Sequence, residues 1–150
     1  MTVSPLRGPV VFTMGTYDLF HVGHVNFLRY CRGLAGPDGT VIVGLNTDRF
    51  AESYKRRPTI AYAGREAVLL ACKYVDGVIP NDQPGGSAAS VIEMVNPDFI
   101  AATEDYRPGN GKDWFEQVGV PEAWFRDNGI IIEWVPYTDG VSSSAIKERL

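Results

Sequence analysis

"PVVFTMGTYDLFHVGHVNFLRYCRGLA", residues 9–35, changes its period partway along. Residues 9–15 form a short apolar run, the pattern of a buried strand. From His24 onward the apolar positions recur at helical spacing, so that His24, Leu28, Cys31 and Ala35 share one face. The strand is expected to end near Met14 and the helix to begin near Gly23 or His24. A strand that turns directly into a helix is the opening unit of a βαβ fold.

The same alternation continues along the chain. "GPDG" punctuates it before "TVIVGLNTD" (40–48), a second buried strand. Residues 63–75 carry Val68, Ala71, Cys72 and Val75 at helical spacing. Residues 76–80 are strand-like, and 85–95 form a helix with a serine as cap candidate. Two more strands follow at 97–103 and 129–137, and a serine-capped helix at 142–150 closes the chain. Strands joined by helical crossovers pair in parallel with right-handed connections. The expected fold is a Rossmann-like three-layer α/β/α sandwich with a parallel five-stranded sheet. Ligands in such folds bind beyond the carboxyl ends of the strands, where the strand order reverses. Residues 106–128 fit the alternation least. With Trp114, Phe115, Trp124 and Phe125 they form a helical excursion over the site, a subunit contact, or a surface helix burying its own aromatics.

A chain of 150 residues reads as one domain, spanning 1–150, with enough length for a proper core. Its 45% hydrophobic and 21% charged residues are those of a globular protein rather than a disordered one. A net charge of −4 argues against a dedicated nucleic-acid binder. The longest apolar runs, such as "GIIIEWV", are strand-sized, which argues against membrane insertion. The start "MTVSPLRGPVV" lacks the features of a secretory leader. Cys31 and Cys72 fall in separate helical runs and read as free thiols, so the expected location is cytoplasmic.

Both histidines of the chain, His21 and His24, lie in the turn between the first strand and helix. A zinc site needs three or four protein ligands, and neither cysteine belongs to a CxxC pair. A helical ligand pair also normally stands at i,i+4, whereas these stand at i,i+3. A lone histidine would read as a satisfied core residue. Two flanking a glycine at a helix entry read differently, because amide N–H groups and the helix dipole there favour an anion. Gly15 and Gly23 would permit a ligand to approach the backbone closely. The pair is therefore expected to serve a bound anion.

"GTYDLFHVGH" resembles the HxGH signature of the nucleotidyltransferase superfamily, with His21, Gly23 and His24 in the motif positions. Class I aminoacyl-tRNA synthetases carry a related HIGH sequence but add a KMSKS-type loop, which this chain lacks. "YTDGVSSSAI" (137–146) is similar to the RTEGISTTxI signature of the cytidylyltransferases. Between them "NTDRF", "YKRRP", Arg65 and "KYVDGVIP" match the glycerol-3-phosphate cytidylyltransferase type in order and spacing. The likeness runs from about residue 10 to the C-terminus, interrupted around 107–128.

The resemblance implies nucleotidyl transfer: an acceptor phosphate attacks the α-phosphorus of CTP and pyrophosphate leaves. The acceptor oxygen is already anionic, so neither a general base nor a covalent intermediate is required. It assigns His21 and His24 to the triphosphate, with Arg56 at the position of a family lysine and Lys55 beside it. It places Gly15, Thr16, Tyr17, Gly23, Arg65, Gly140, Ser142 and Ser143 around the nucleotide. Asp105, in "ATEDY" (102–106), would accept from the cytosine amino group, as acidic groups do. Tyr137 stands where the signature has arginine, so it would stack rather than pair with phosphate. Mg²⁺ would arrive on the nucleotide phosphates. The acceptor implied is glycerol 3-phosphate, and the partner state a homodimer. The alternatives are ATP with a sugar phosphate or FMN, CTP with phosphoethanolamine or phosphocholine, or a nucleotide-binding module without catalysis.

Overall fold

In the computed structural model, which describes residues 6–109 and 111–150, the strand-to-helix unit at the start forms as expected. Strand β1 is Val10–Gly15 and helix α1 is Val22–Ala35. Leu28, Cys31 and Ala35 are the buried residues of α1, three-quarters of the face read from the sequence. Strand β2 (Thr40–Asn46) is buried along its whole length. Then come α2 (Asp48–Tyr54), α3 (Tyr62–Ala71), β3 (Gly77–Asn81), α4 (Ala89–Val95), β4 (Phe99–Thr103), α5 (Trp114–Val118), α6 (Glu122–Asp127), β5 (Ile131–Val135) and α7 (Ser143–Glu148).

The strands pair in the order β3-β2-β1-β4-β5, and every pairing is parallel. Apolar clusters lie on both faces of this sheet. One joins Phe12, Ile42, Ile92 and Ile100 to Trp114 and Phe125. On the other face, Val11, Val41 and Ala101 pack with Cys31 and Ala35 of α1. The fold is thus the three-layer α/β/α sandwich with a parallel five-stranded sheet. The chain leaves β1 toward β2 on one side and later returns to β4 on the other. The crevice between β1 and β4 is the switch point at which open α/β sheets take ligands.

Three elements differ from the sequence reading. Helix α2 is additional: Thr47, the residue after β2, caps it, its Oγ1 accepting from the Phe50 N–H at 3.1 Å. The helix expected over 63–75 stops at Ala71, where Cys72 turns extended. The one expected over 85–95 begins later, because Pro84–Gly86 form a separate 3-10 turn; Ser87 accepts from the Ala89 N–H at 3.2 Å. The excursion at 106–128 contains α5 and α6, whose Trp114 and Phe125 are buried in the main core rather than left as a surface contact. Both cysteines are free, Cys31 buried and Cys72 partly so. The N-terminal residues 1–5, part of the stretch read as lacking a leader, lie outside the described residues.

Candidate active site

The turn after β1 is held by its own histidines. His21 is the N-cap of α1 with an extended backbone (φ −142°, ψ 179°). Its Nδ1 accepts from the Gly23 N–H at 3.0 Å, while Nδ1 of His24 accepts from the His21 N–H at 3.2 Å. This is a capping box in which two imidazoles take the places usually filled by Ser or Thr and Glu. The rings stack at 3.8 Å between centroids, 25° from parallel. A neutral imidazole that accepts at Nδ1 carries its proton at Nε2. Neither Nε2 has a protein partner among the described residues, so each presents an N–H outward from the cap.

Burial keeps both rings neutral. It lowers the His21 pKa, and it pushes His24 down to about 3, with His21 adding to the effect and Asp18 opposing it. The unliganded pair therefore offers two neutral donors at pH 7, and an arriving phosphate would favour their protonation.

Several glycine and aromatic positions act differently from the expectation. Gly23 leaves room for the His21 ring rather than for a ligand: a Cβ there would stand 2.8 Å from His21 Cε1 and 2.9 Å from Nδ1. A Cβ on Gly15 would meet the Tyr17 ring at 3.1 Å. Tyr17 is itself buried, with its hydroxyl 3.1 Å from Thr13 Oγ1 and its ring 5.1 Å from that of His24. Burial raises its pKa. It packs against His24 from within the core. Its φ of 50°, like the 49° of Leu19, lies in the left-handed region that side-chain-bearing residues seldom adopt. The turn is thus held in a conformation that its surroundings must enforce.

Asp18, which the sequence reading did not single out, supplies much of that enforcement. Its buried carboxylate accepts from the Thr59 and Ile60 N–H groups at 2.8 and 3.0 Å and pairs with Lys147 at 3.2 Å. Burial alone would raise its pKa, but the two amides and Lys147 hold it below the usual carboxylate value. The Ser143 hydroxyl donates to the Asp18 carbonyl. One residue thereby joins the β1–α1 turn, the segment after the cationic loop, and α7.

Arg65 was expected at phosphate. It is 1% exposed instead, and its guanidinium donates to the carbonyls of Ile60, Thr16 and Asn46 and to Asp48 Oδ1, at 2.6–2.9 Å. Burial by itself would raise the Asp48 carboxyl, but Arg65 and the Tyr62 N–H hold it low. Arg65 is a clamp beneath the site. Thr16 sits above that clamp, its Oγ1 receiving Asn46 Nδ2 at 3.1 Å and lying 3.5 Å from the Tyr54 hydroxyl. Asn46 is also met by Asn81, at 2.9 Å. The sequence carried a signal for this network: β2, apolar after Thr40, and the apolar β3 each end in asparagine, and the two are register partners.

The basic segment starts beside Thr16. Lys55 follows Tyr54 directly, and Lys55 and Arg56 are both exposed. The second motif is brought onto the first, since Asn26 of α1 donates to the Thr138 hydroxyl at 3.3 Å. Ser142 caps α7 by accepting from the Ala145 N–H at 3.0 Å, and the Ser143 hydroxyl is taken by Asp18 rather than turned to a ligand. Tyr137 is 44% exposed, and Gly140 takes a left-handed φ of 78° in the turn before Ser142. Asp105 lies in the 3-10 turn Glu104–Tyr106 that follows β4, on the other side of the switch point. It pairs with Lys112 at 3.5 Å through Oδ2, while Oδ1 is buried and unpartnered.

The described residues contain no group of three or more His, Cys, Asp or Glu able to hold a metal. The carboxylates nearest the turn, Asp18 and Asp48, are already bonded to backbone amides and to Lys147 or Arg65. This donor set suits a magnesium ion carried by phosphates and water, not one held in a protein cage. Among the described residues no helix is long and apolar enough to cross a membrane.

Comparison with known proteins agrees with this geometry. Residues 12–149 match the family described as cytidylyltransferase-like. The bifunctional protein HldE of Citrifermentans bemidjiense is 35% identical over 143 residues, covering 94% of this chain and 27% of that one. A probable ethanolamine-phosphate cytidylyltransferase of Encephalitozoon cuniculi is 38% identical over 97 residues, covering 62% of this chain and 29% of that one. The chain thus spans under a third of the length of these curated relatives. Among solved structures, a lipopolysaccharide core biosynthesis protein from Thermoplasma volcanium superposes with a TM-score of 0.66 at 22% identity, over 86% of this chain and 95% of that one. Pantothenate synthetase from Thermus thermophilus gives 0.62 at 18%, over 97% and 66%. Such identities show the shared fold alone. The glycerol-3-phosphate subgroup is therefore not singled out by these similarities. What they do establish, together with the capping histidines at the switch point, is membership: this chain belongs to the cytidylyltransferase-like family.

Proposed function

We propose that this chain, as a single domain, transfers a nucleotidyl group from CTP to the phosphate of a small molecule and releases pyrophosphate. The observation that carries this reading is the orientation of the two imidazoles. Their Nδ1 atoms are taken by the helix cap, so two Nε2 donors are left for anionic oxygens at a helix entry. An acceptor phosphate oxygen forms the new bond to the α-phosphorus as the bond to the β-phosphate bridge breaks, and pyrophosphate carries away the electron pair. The chain's part is to align these groups and to stabilise charge on the phosphoryl oxygens. His21 and His24 do so as donors, and Lys55 and Arg56 supply cations from the adjoining loop. Magnesium, when carried in on the triphosphate, would neutralise part of its charge.

The acceptor set is wider than glycerol 3-phosphate. The Encephalitozoon cuniculi relative carries ethanolamine phosphate in its name, which supports that alternative, and Tyr137 in place of an arginine supports ATP with a sugar phosphate. The assay is pyrophosphate release from four nucleoside triphosphates against glycerol 3-phosphate, phosphoethanolamine, phosphocholine and sugar phosphates. Magnesium-dependent release that requires both nucleotide and acceptor is expected. Release with no pair, at normal folding, would reject the reading. The proposed setting is a cytoplasmic homodimer that neither binds nucleic acid nor inserts in a membrane.

A further inference from the structure

The turn after β4 contains an unmet acceptor. Oδ1 of Asp105 is buried without a hydrogen-bond partner, while Oδ2 lies 3.5 Å from the Lys112 ammonium. Buried carboxylate oxygens nearly always have donors, so an orphan marks a place where a donor can arrive from outside. Lys112 is also held over the Tyr106 ring, 4.3 Å from its centroid. Gly109 and Gly111, which lie between Asp105 and Lys112 in sequence, have φ values of 104° and 83° that suit glycine. An acceptor and an ammonium therefore stand side by side at the carboxyl end of the sheet, next to central β1.

We propose that Lys112 and Asp105 together read the edge of the nucleotide base, with Asp105 accepting and Lys112 donating. This rests on the nucleotide-binding reading above and adds Lys112 as a specificity-determining residue. Cytosine presents an amino group beside an unprotonated ring nitrogen, and adenine presents the same pair. Uracil and guanine present the reverse, a carbonyl beside a ring N–H. Against the Asp105–Lys112 pair, an oxo base sets acceptor against acceptor and donor against donor. The pair therefore selects amino-bearing bases, while the size of the surrounding pocket separates cytosine from adenine. The Lys112 side chain is 52% exposed, which leaves its ammonium room to move off Asp105 Oδ2. On binding it exchanges Asp105 Oδ2 for the ring nitrogen, as the base amino group reaches the carboxylate.

The test measures equilibrium binding of CTP, UTP, ATP and GTP by calorimetry, alongside pyrophosphate release. The unmodified protein is expected to bind CTP or ATP about tenfold or more tightly than UTP or GTP, the scale of one hydrogen bond to a charged group. Lys112→Met should weaken CTP about tenfold and UTP little, so that the ratio between them collapses. Lys112→Arg, which keeps donors, should retain most of it. Asp105→Asn, whose carboxamide can donate, should raise UTP relative to CTP. Circular dichroism confirms folding in each variant. Equal binding of all four nucleotides, or an unchanged ratio in folded Lys112→Met, would overturn the inference. A Lys112-dependent preference in a protein that releases no pyrophosphate would sustain it and remove the transfer reading instead.

Discussion

His21 and His24 each divide their two nitrogens between fold and ligand, and substitution can separate those tasks. Asparagine places an acceptor near the position of Nδ1 but has nothing at Nε2. His21→Asn should keep the cap on the Gly23 amide while turnover falls by at least about a hundredfold, the scale of losing one donor to developing charge. His21→Ala should lose the same turnover and also about 1 kcal/mol of stability with the cap. Turnover near normal in His21→Asn would show that the outward nitrogen does no chemistry. His24 also gives stability a dependence on pH. Its folded pKa of about 3 lies below the ordinary 6.5, so between those values the unfolded chain binds the extra proton. Its contribution is fully present above about pH 6.5 and is lost as pH falls toward about 3. Thermal melts from pH 7 to 5 should show a falling midpoint, and His24→Asn should flatten that slope.

At the scale of elements, the connection between the β1–α1 turn, the segment before α3, and α7 runs through Asp18. Removing that carboxylate leaves two amides and Lys147 without their acceptor. Asp18→Ala should therefore destabilise the fold by about 3 kcal/mol, within the range for breaking a buried charged contact. It should also lower turnover by loosening the histidine turn and the cationic loop together; a change below about 0.5 kcal/mol in chemical denaturation would contradict the assignment. Asp18 shows why some of the site was hidden in the sequence. Its partners are Thr59 and Ile60 backbone amides and a lysine near the other end of the chain, and no local spacing encodes such contacts. Arg65 was found as a position, but its contacts within the fold were not legible for the same reason: three of its acceptors are main-chain carbonyls. Helix α2 escaped because it is seven residues long, with too few turns to show a period. What was legible had local causes. The switch from an apolar run to helical spacing at residues 9–35 marked β1 and α1, and Ser142 announced its own cap.

Across the whole molecule, the parallel order β3-β2-β1-β4-β5 sets HxGH and the Asp105 turn on either side of one crevice, although some eighty residues separate them in sequence. The excursion at 106–128 does not hang on this architecture as a detachable cover. Trp114 is 7% exposed and packs 5.4 Å from Phe125 and 6.1 Å from Trp134, in the cluster that includes Phe12 of the central strand. If the chain is one cooperative domain, a cavity at Trp114 must weaken the sheet as well as α5 and α6. Trp114→Ala should cost about 3–5 kcal/mol, as large aromatic truncations do in packed cores. For a domain of this size that corresponds to a midpoint lower by roughly 6–20 °C. Calorimetry should show one transition moved as a whole, with its calorimetric and van't Hoff enthalpies still equal. A separate early transition, leaving the main one in place, would show that the excursion folds independently of the sheet.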